Sequence, residues 1–183
     1  MKQIITWIVI CVSVLGFVYG SIKPYKKAAA YVTAVKSGAT SVEGFTDAFK
    51  AAFEYPSPVG QDELIRFISS DIMNVVAEGK NDETVANKLT DFIHTYADPK
   101  IESKVGMNYT QLVMILGTIH TYKWKQYQKP EDFALAMQYF IQGYNINPDR
   151  PQFLIGLVDL YEASGQNDKA DAVKQHIAEL WER

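Results

Sequence analysis

The sequence predicts an all-α chain, with one apolar membrane helix at the N-terminus ahead of a run of helical hairpins. Three observations carry this. Twenty residues between Lys2 and Lys23, QIITWIVICVSVLGFVYGSI, hold no charge. Beyond Pro24, apolar residues recur at spacings of three and four and never alternate in the strand manner. The linkers between these segments are short, as antiparallel helical neighbours require.

Composition narrows the function classes. The chain has 183 residues, 48% apolar and 21% charged, which suits a folded chain rather than a disordered one. Lys and Arg number 18 and Asp and Glu 21, a formal charge of −3 that argues against a nucleic-acid partner. A single cysteine, Cys11, excludes an internal disulfide and a cysteine zinc site.

The uncharged run is long enough, at about 1.5 Å per helical residue, to cross a hydrocarbon layer roughly 30 Å thick. Trp7 near one end and Tyr19 near the other suit the two interfaces, and Cys11 sits mid-span as a small apolar residue. Val18-Tyr19-Gly20 is a passable cleavage site, but an uncleaved anchor is the expectation. Lys23, Lys26 and Lys27 follow and suit anionic headgroups, so lipid contact is expected through residues 3–27. Setting aside these three and Lys2, the remainder carries 14 basic and 21 acidic groups, a balance of −7. The lysines after the span point to a cytoplasmic domain, whereas the signal-like start points outward. The expectation leans extracytoplasmic.

Eight helical segments follow. Residues 24–37 are Ala-rich and stop at Gly38. Thr40-Ser-Val-Glu43 fits a capping box for a helix to Tyr55, and Pro56-Ser-Pro58 breaks the chain. Residues 61–78 draw a face of Leu64, Ile65, Ile68, Ile72, Val75 and Val76, widened by Phe67. Asn81 is expected to cap the next, with Val85, Leu89, Phe92, Ile93 and Tyr96 inward and Asp98-Pro99 at its end. A fifth spans 108–124, with Leu112, Val113, Leu116, Ile119 and His120 inward. Pro130 opens the sixth, with Glu131 and Asp132 beside its positive dipole end. The last two cover 151–164 and 168–181.

An internal repeat separates a solenoid from a bundle. Leu154, Leu157, Tyr161, Gly165 and Ala170 fall on the fourth, seventh, eleventh, fifteenth and twentieth places of a unit of about 34 residues. The unit before it carries Leu116-Gly117, Ala136, Phe140, Gly143 and Pro148. Counting from Pro148 starts the next unit at 151, where the Gly165 register also puts it. This resembles the tetratricopeptide repeat, and implies a helical-hairpin solenoid presenting an extended surface to a protein partner. The spacing from Gly117 to Ala136 is seven residues longer than that pattern. An inserted turn at 122–129, carrying Tyr122, Trp124 and Tyr127, is expected to project. Its aromatics either meet a partner or cover the neighbouring helix pair.

A broader resemblance takes in the apolar helix, Ile22-Lys-Pro24, Phe49-Lys-Ala-Ala-Phe53-Glu-Tyr55, Gly60 and Glu63-Leu-Ile-Arg66. This is similar to the soluble tail of O-antigen ligase and polymerase family membrane proteins. It implies a tail-like accessory module and brings no catalytic residue with it.

Chemical motifs are sparse. His94, His120 and His176 show no metal spacing and are read as structural. Asp62-Glu63, Asp82-Glu83 and Glu131-Asp132 all lie at helix starts, where the dipole accounts for them. No catalytic, cofactor-binding or metal-ligating residue is assigned, and no cofactor is expected. Three divisions are expected: an anchor over 1–22, degenerate hairpins over 23–106 and two repeats over 107–183. The function that follows is a non-catalytic, membrane-anchored scaffold that binds a protein partner, with homo-oligomers open to it. An accessory part of a glycan-assembling enzyme is the alternative. A filament packed through the apolar helix is a further one, although the first acidic residue, Glu43, comes too late for a pilin-type start.

Overall fold

The structure is a computed structural model that describes residues 2–104 and 108–182. Every element among the described residues is helical. The chain divides into two compact units, Met1–Ile65 and Arg66–Arg183, and the division falls inside one helix. The boundary expected at 106/107 lies outside the described residues.

In the first unit, α1 (Lys2–Phe17) runs through a π-helical turn (Val18–Ile22) into α2 (Lys23–Lys36). The whole of Lys2–Lys36 is one helix, long and apolar enough to cross a membrane, and its apolar stretch is unburied. The π turn stands immediately before Pro24. Proline has no N–H for the preceding turn, so the ladder reorganises there, and the Lys23 amide bonds the Val18 carbonyl instead. Trp7 is 67% exposed and Cys11 is exposed; Lys23 Nζ lies 4.0 Å over the Tyr19 ring.

α3 (Val42–Glu54) packs on α2 through Phe49, Ala52 and Phe53. Its cap is one residue later than the sequence indicates: the Ser41 hydroxyl accepts from the Gly44 amide at 3.1 Å. Lys27 departs from the headgroup role expected of it. It is buried, and its ammonium donates to the Ala52, Phe53 and Tyr55 carbonyls at 3.0, 3.3 and 3.0 Å. Those carbonyls end α3 and have no intrahelical donors, so a cation is favoured there.

The second unit takes up most of α4 (Gln61–Ala77), then α5 (Glu83–Ser103), α6 (Tyr109–Tyr127), α7 (Pro130–Ile146), α8 (Pro151–Ala163) and α9 (Asn167–Trp181). Asp82, not Asn81, caps α5, its carboxylate accepting from the Val85 amide at 2.9 Å. The Asn81 amide donates instead to the Val75 carbonyl near the end of α4. α5 also runs straight through Pro99. Proline there removes one bond, just ahead of the last turn, and left-handed Lys104 supplies the stop. The innermost residues of α5 are the small ones, Ala86, Thr90 and Ala97, with Leu89 and Ile93. Phe92 and Tyr96 are half-buried and meet edge to face at 5.4 Å.

α6 packs on α5, α7 and α8, α7 on α8, and α8 on α9. The α7–α8 contact is an interlock. A Cβ added at Gly143 would meet Phe153 at 2.1 Å, and one at Gly156 would meet Phe140 at 2.3 Å. Each helix thus receives the other's phenyl ring against bare backbone. Gly117 gives the α6–α7 pair a milder version, with Tyr139 and Phe140 within 3.3 Å.

Candidate functional site

Three helices of the second unit bring a polar cluster together. α5 contributes His94 and Asp98, one turn apart on the same face. α6 contributes His120 and Lys123, and the first turn of α7 contributes Asp132. His94 Nδ1 lies 2.6 Å from Asp98 Oδ1, and His120 Nδ1 lies 2.7 Å from Asp132 Oδ1. The two rings meet Nε2 to Nε2 at 3.0 Å. Lys123 Nζ closes the far end on Asp132 Oδ1 at 3.0 Å. The result is an unbroken chain: Asp98, His94, His120, Asp132, Lys123. Tyr139 on α7 stacks on both imidazoles, its centroid 5.9 Å from His120 and 6.4 Å from His94.

Burial grades along the chain. The Asp98 side chain is 50% exposed, that of His94 19%, and those of His120, Asp132 and Lys123 only 3, 6 and 8%. Burial lowers the pKa of His120, helped by the neighbouring His94 and Lys123 and opposed by Asp132. Burial raises that of Asp132, but hydrogen bonds from His120 and Lys123 outweigh it and hold the carboxylate below its usual range. Burial, with the Asp98 charge, pushes the Tyr139 hydroxyl up to about 12. Chemically, the arrangement can hold and pass protons between solvent and a buried carboxylate. An open cavity of about 650 Å³ lies over it, with Glu83, Asp91, Glu102 and Glu131 among its walls. Among the described residues, no group of three or more His, Cys, Asp or Glu side chains is placed to hold a metal ion.

A second concavity, about 550 Å³, lies where α6 meets α8. Met114, Thr118 and Tyr122 of α6 line it with Ile155, Gly156 and Asp159 of α8 and Phe140 of α7. Ile155 is 60% exposed, and Lys125 and Asp159 pair beside it at 2.6 Å.

The aromatic residues expected to project are placed otherwise. Residues 122–127 continue α6 and form no turn. Trp124 packs on Phe133 at 4.8 Å, and the Tyr127 hydroxyl donates to the Asn81 carbonyl at 2.9 Å. Both serve as packing, and Tyr122 alone of the three lines the groove. The extra residues lengthen the helix because Gln128, left-handed at φ 57°, stops it instead of an earlier glycine. Of the repeat residues, Leu116, Gly117, Ala136, Phe140, Leu157 and Ala170 are buried, and Gly165 adopts a φ of +74°. Tyr161 is half-buried, and Pro148 lies exposed in the turn after α7.

The histidine cluster escaped the sequence reading. His94 and His120 are 26 residues apart and Asp132 a further 12, which fits no local motif. The i, i+4 pair His94–Asp98 was the available signal. Asp132 does more than favour a dipole: it is the carboxylate on which a histidine and a lysine converge.

The chain matches no protein-family model, no curated protein and no solved structure.

Proposed function

We propose that this protein is a membrane-anchored helical-repeat scaffold that holds an extended segment of a protein partner in the groove between α6 and α8. The observation that carries the reading is the groove itself. Met114, Phe140, Ile155 and Val158 give it apolar surface beside the charged Lys125, Asp159 and Glu162, and Ile155 is left 60% exposed while neighbouring side chains of α8 are fully buried. Apolar surface held open on rigid helices is what a docking segment uses. The tetratricopeptide-like arrangement is part of this proposal. It is supported by the two hairpins, α6 with α7 and α8 with α9, and by contact between their first helices. The apolar helix of the first unit supplies the anchor, and the role is that of a non-catalytic subunit.

The test is gentle detergent extraction of the native membrane, followed by sizing and identification of what travels with the chain. A defined assembly is expected, and Ile155→Asp should release the partner while leaving the helical content unchanged. A chain that runs alone, or a partner that ignores Ile155→Asp, would defeat the reading. A long homopolymer would point to a filament.

A further inference from the structure

We propose that His94 and His120 share one proton and form a clasp that fastens α5 to α6 at neutral pH and lets go in acid. The inference is independent of the α6–α8 groove. It rests on a count of protons. Three hydrogen bonds join Asp98, His94, His120 and Asp132. Each needs one proton, and two neutral imidazoles supply two. The third must be extra, and it lies between the Nε2 atoms, whose 3.0 Å separation is that of an ordinary N–H···N bond. Without it, two lone pairs would face one another.

Charge points the same way. Asp98 and Asp132 contribute two negative charges, and Lys123 and the shared proton two positive ones. The buried chain is therefore neutral with that proton in place, which burial favours. Burial disfavours charge on His120, the deeper of the two rings.

A fourth proton breaks the arrangement. Both imidazoles then carry N–H at Nε2, and donor faces donor with like charge across 3.0 Å. Asp98 on α5 and Asp132 on α7 draw that proton in, with Glu83, Asp91 and Glu102 of α5 and Glu131 of α7 around the same cavity; Lys123 on α6 and Lys129 ahead of α7 oppose it; Tyr139 on α7 stays neutral. Tyr139 also stacks against both rings and limits their turning aside. Relief comes by withdrawing His94, and with it the hold of α5.

The experiment uses the full chain in detergent micelles, with histidine nitrogen NMR and amide hydrogen exchange from pH 8 to pH 5. At neutral pH a through-bond coupling between the two Nε2 nitrogens is expected. In acid it disappears, and protection of α5 amides, normalised to α9, falls about tenfold per unit below pH 6. His120→Gln leaves only an amide oxygen to accept the His94 N–H, so no proton is refused and α5 protection should stay flat across the range; His94→Gln leaves His120 buried and should keep the fall. Uncoupled Nε2 nitrogens at pH 7 would overturn the proposal even if both variants failed to fold. So would an α5 whose protection ignores pH while His94 titrates. Displacement of the shared proton by micromolar zinc would make the pair a metal site instead.

Discussion

Each unit of this protein buries a lysine, and the two are satisfied in opposite ways. Lys27 gives its three N–H groups to three main-chain carbonyls at the end of α3. Lys123 gives its charge to Asp132, which a histidine shares. Carbonyl dipoles do not titrate, so the first contact is indifferent to protonation elsewhere. The second belongs to a chain of titrating groups, and its strength follows their state. A buried cation can thus act as a fixed cap or as part of a responsive network, according to what accepts from it.

The largest effect is expected from breaking the network. Asp132→Asn leaves Lys123 charged and unpaired at 8% exposure and should cost about 3–5 kcal/mol, seen as a fall in the denaturant midpoint at pH 7. Adding Lys123→Met should recover a large part, because the stranded charge is gone. If the double variant were no better than the single, the charge would not be the source of the loss.

Lys27→Met sharpens the other side. The variant keeps the stem and removes the donors, leaving three carbonyls to find water. About 1–3 kcal/mol is expected, read as faster hydrogen exchange in the last turn of α3. An unchanged exchange rate would mean that water already serves those carbonyls.

A pH titration separates the two directly. His120 has a lowered pKa when folded, so below its ordinary value of 6.5 the unfolded chain takes up a proton that the folded one refuses. Stability therefore falls as pH drops through 6.5. Asp132, lowered from 3.8, adds a further loss as pH falls through its folded value. Lys27 contributes no slope there, since in acid it is protonated folded or unfolded. The expected result is acid loosening at α5 and α6 ahead of α2 and α3, resolved by exchange along the chain.

Much of the architecture was legible because helices announce themselves locally. Pro130, the Gly165 stop and the face of 108–124 are read from neighbours a few residues apart, as is that of 61–78 except for Phe67 and Val75, which the fold leaves 43% and 38% exposed. The caps differ from expectation where two adjacent residues compete for one helix start. Ser41 and Thr40 are both competent caps, as are Asp82 and Asn81, and only the fold chooses. The length of α6 was hidden because Gln128 stops it without being glycine. Nearness to an apolar helix suggests headgroup contact for Lys27, whereas its fate depends on carbonyls 25 to 28 residues away. The histidine chain needs three helices aligned at once, and no spacing rule within one segment encodes that.

The smallest effect is expected at a third lysine, and it tests whether exposure decides the matter. Lys125 Nζ lies 2.6 Å from Asp159, closer than Lys123 lies to Asp132, yet its side chain is 39% exposed and that of Asp159 45%. Distance alone would make it the stronger pair. Water, however, screens it and solvates either partner left behind, so Lys125→Ala should change stability by less than about 1 kcal/mol. The same residue lines the α6–α8 groove. The variant should therefore weaken partner retention more than it weakens the fold, measured as co-extraction against thermal midpoint. A stability loss as large as that of Asp132→Asn would show that pair distance, not burial, governs ion pairs in this chain.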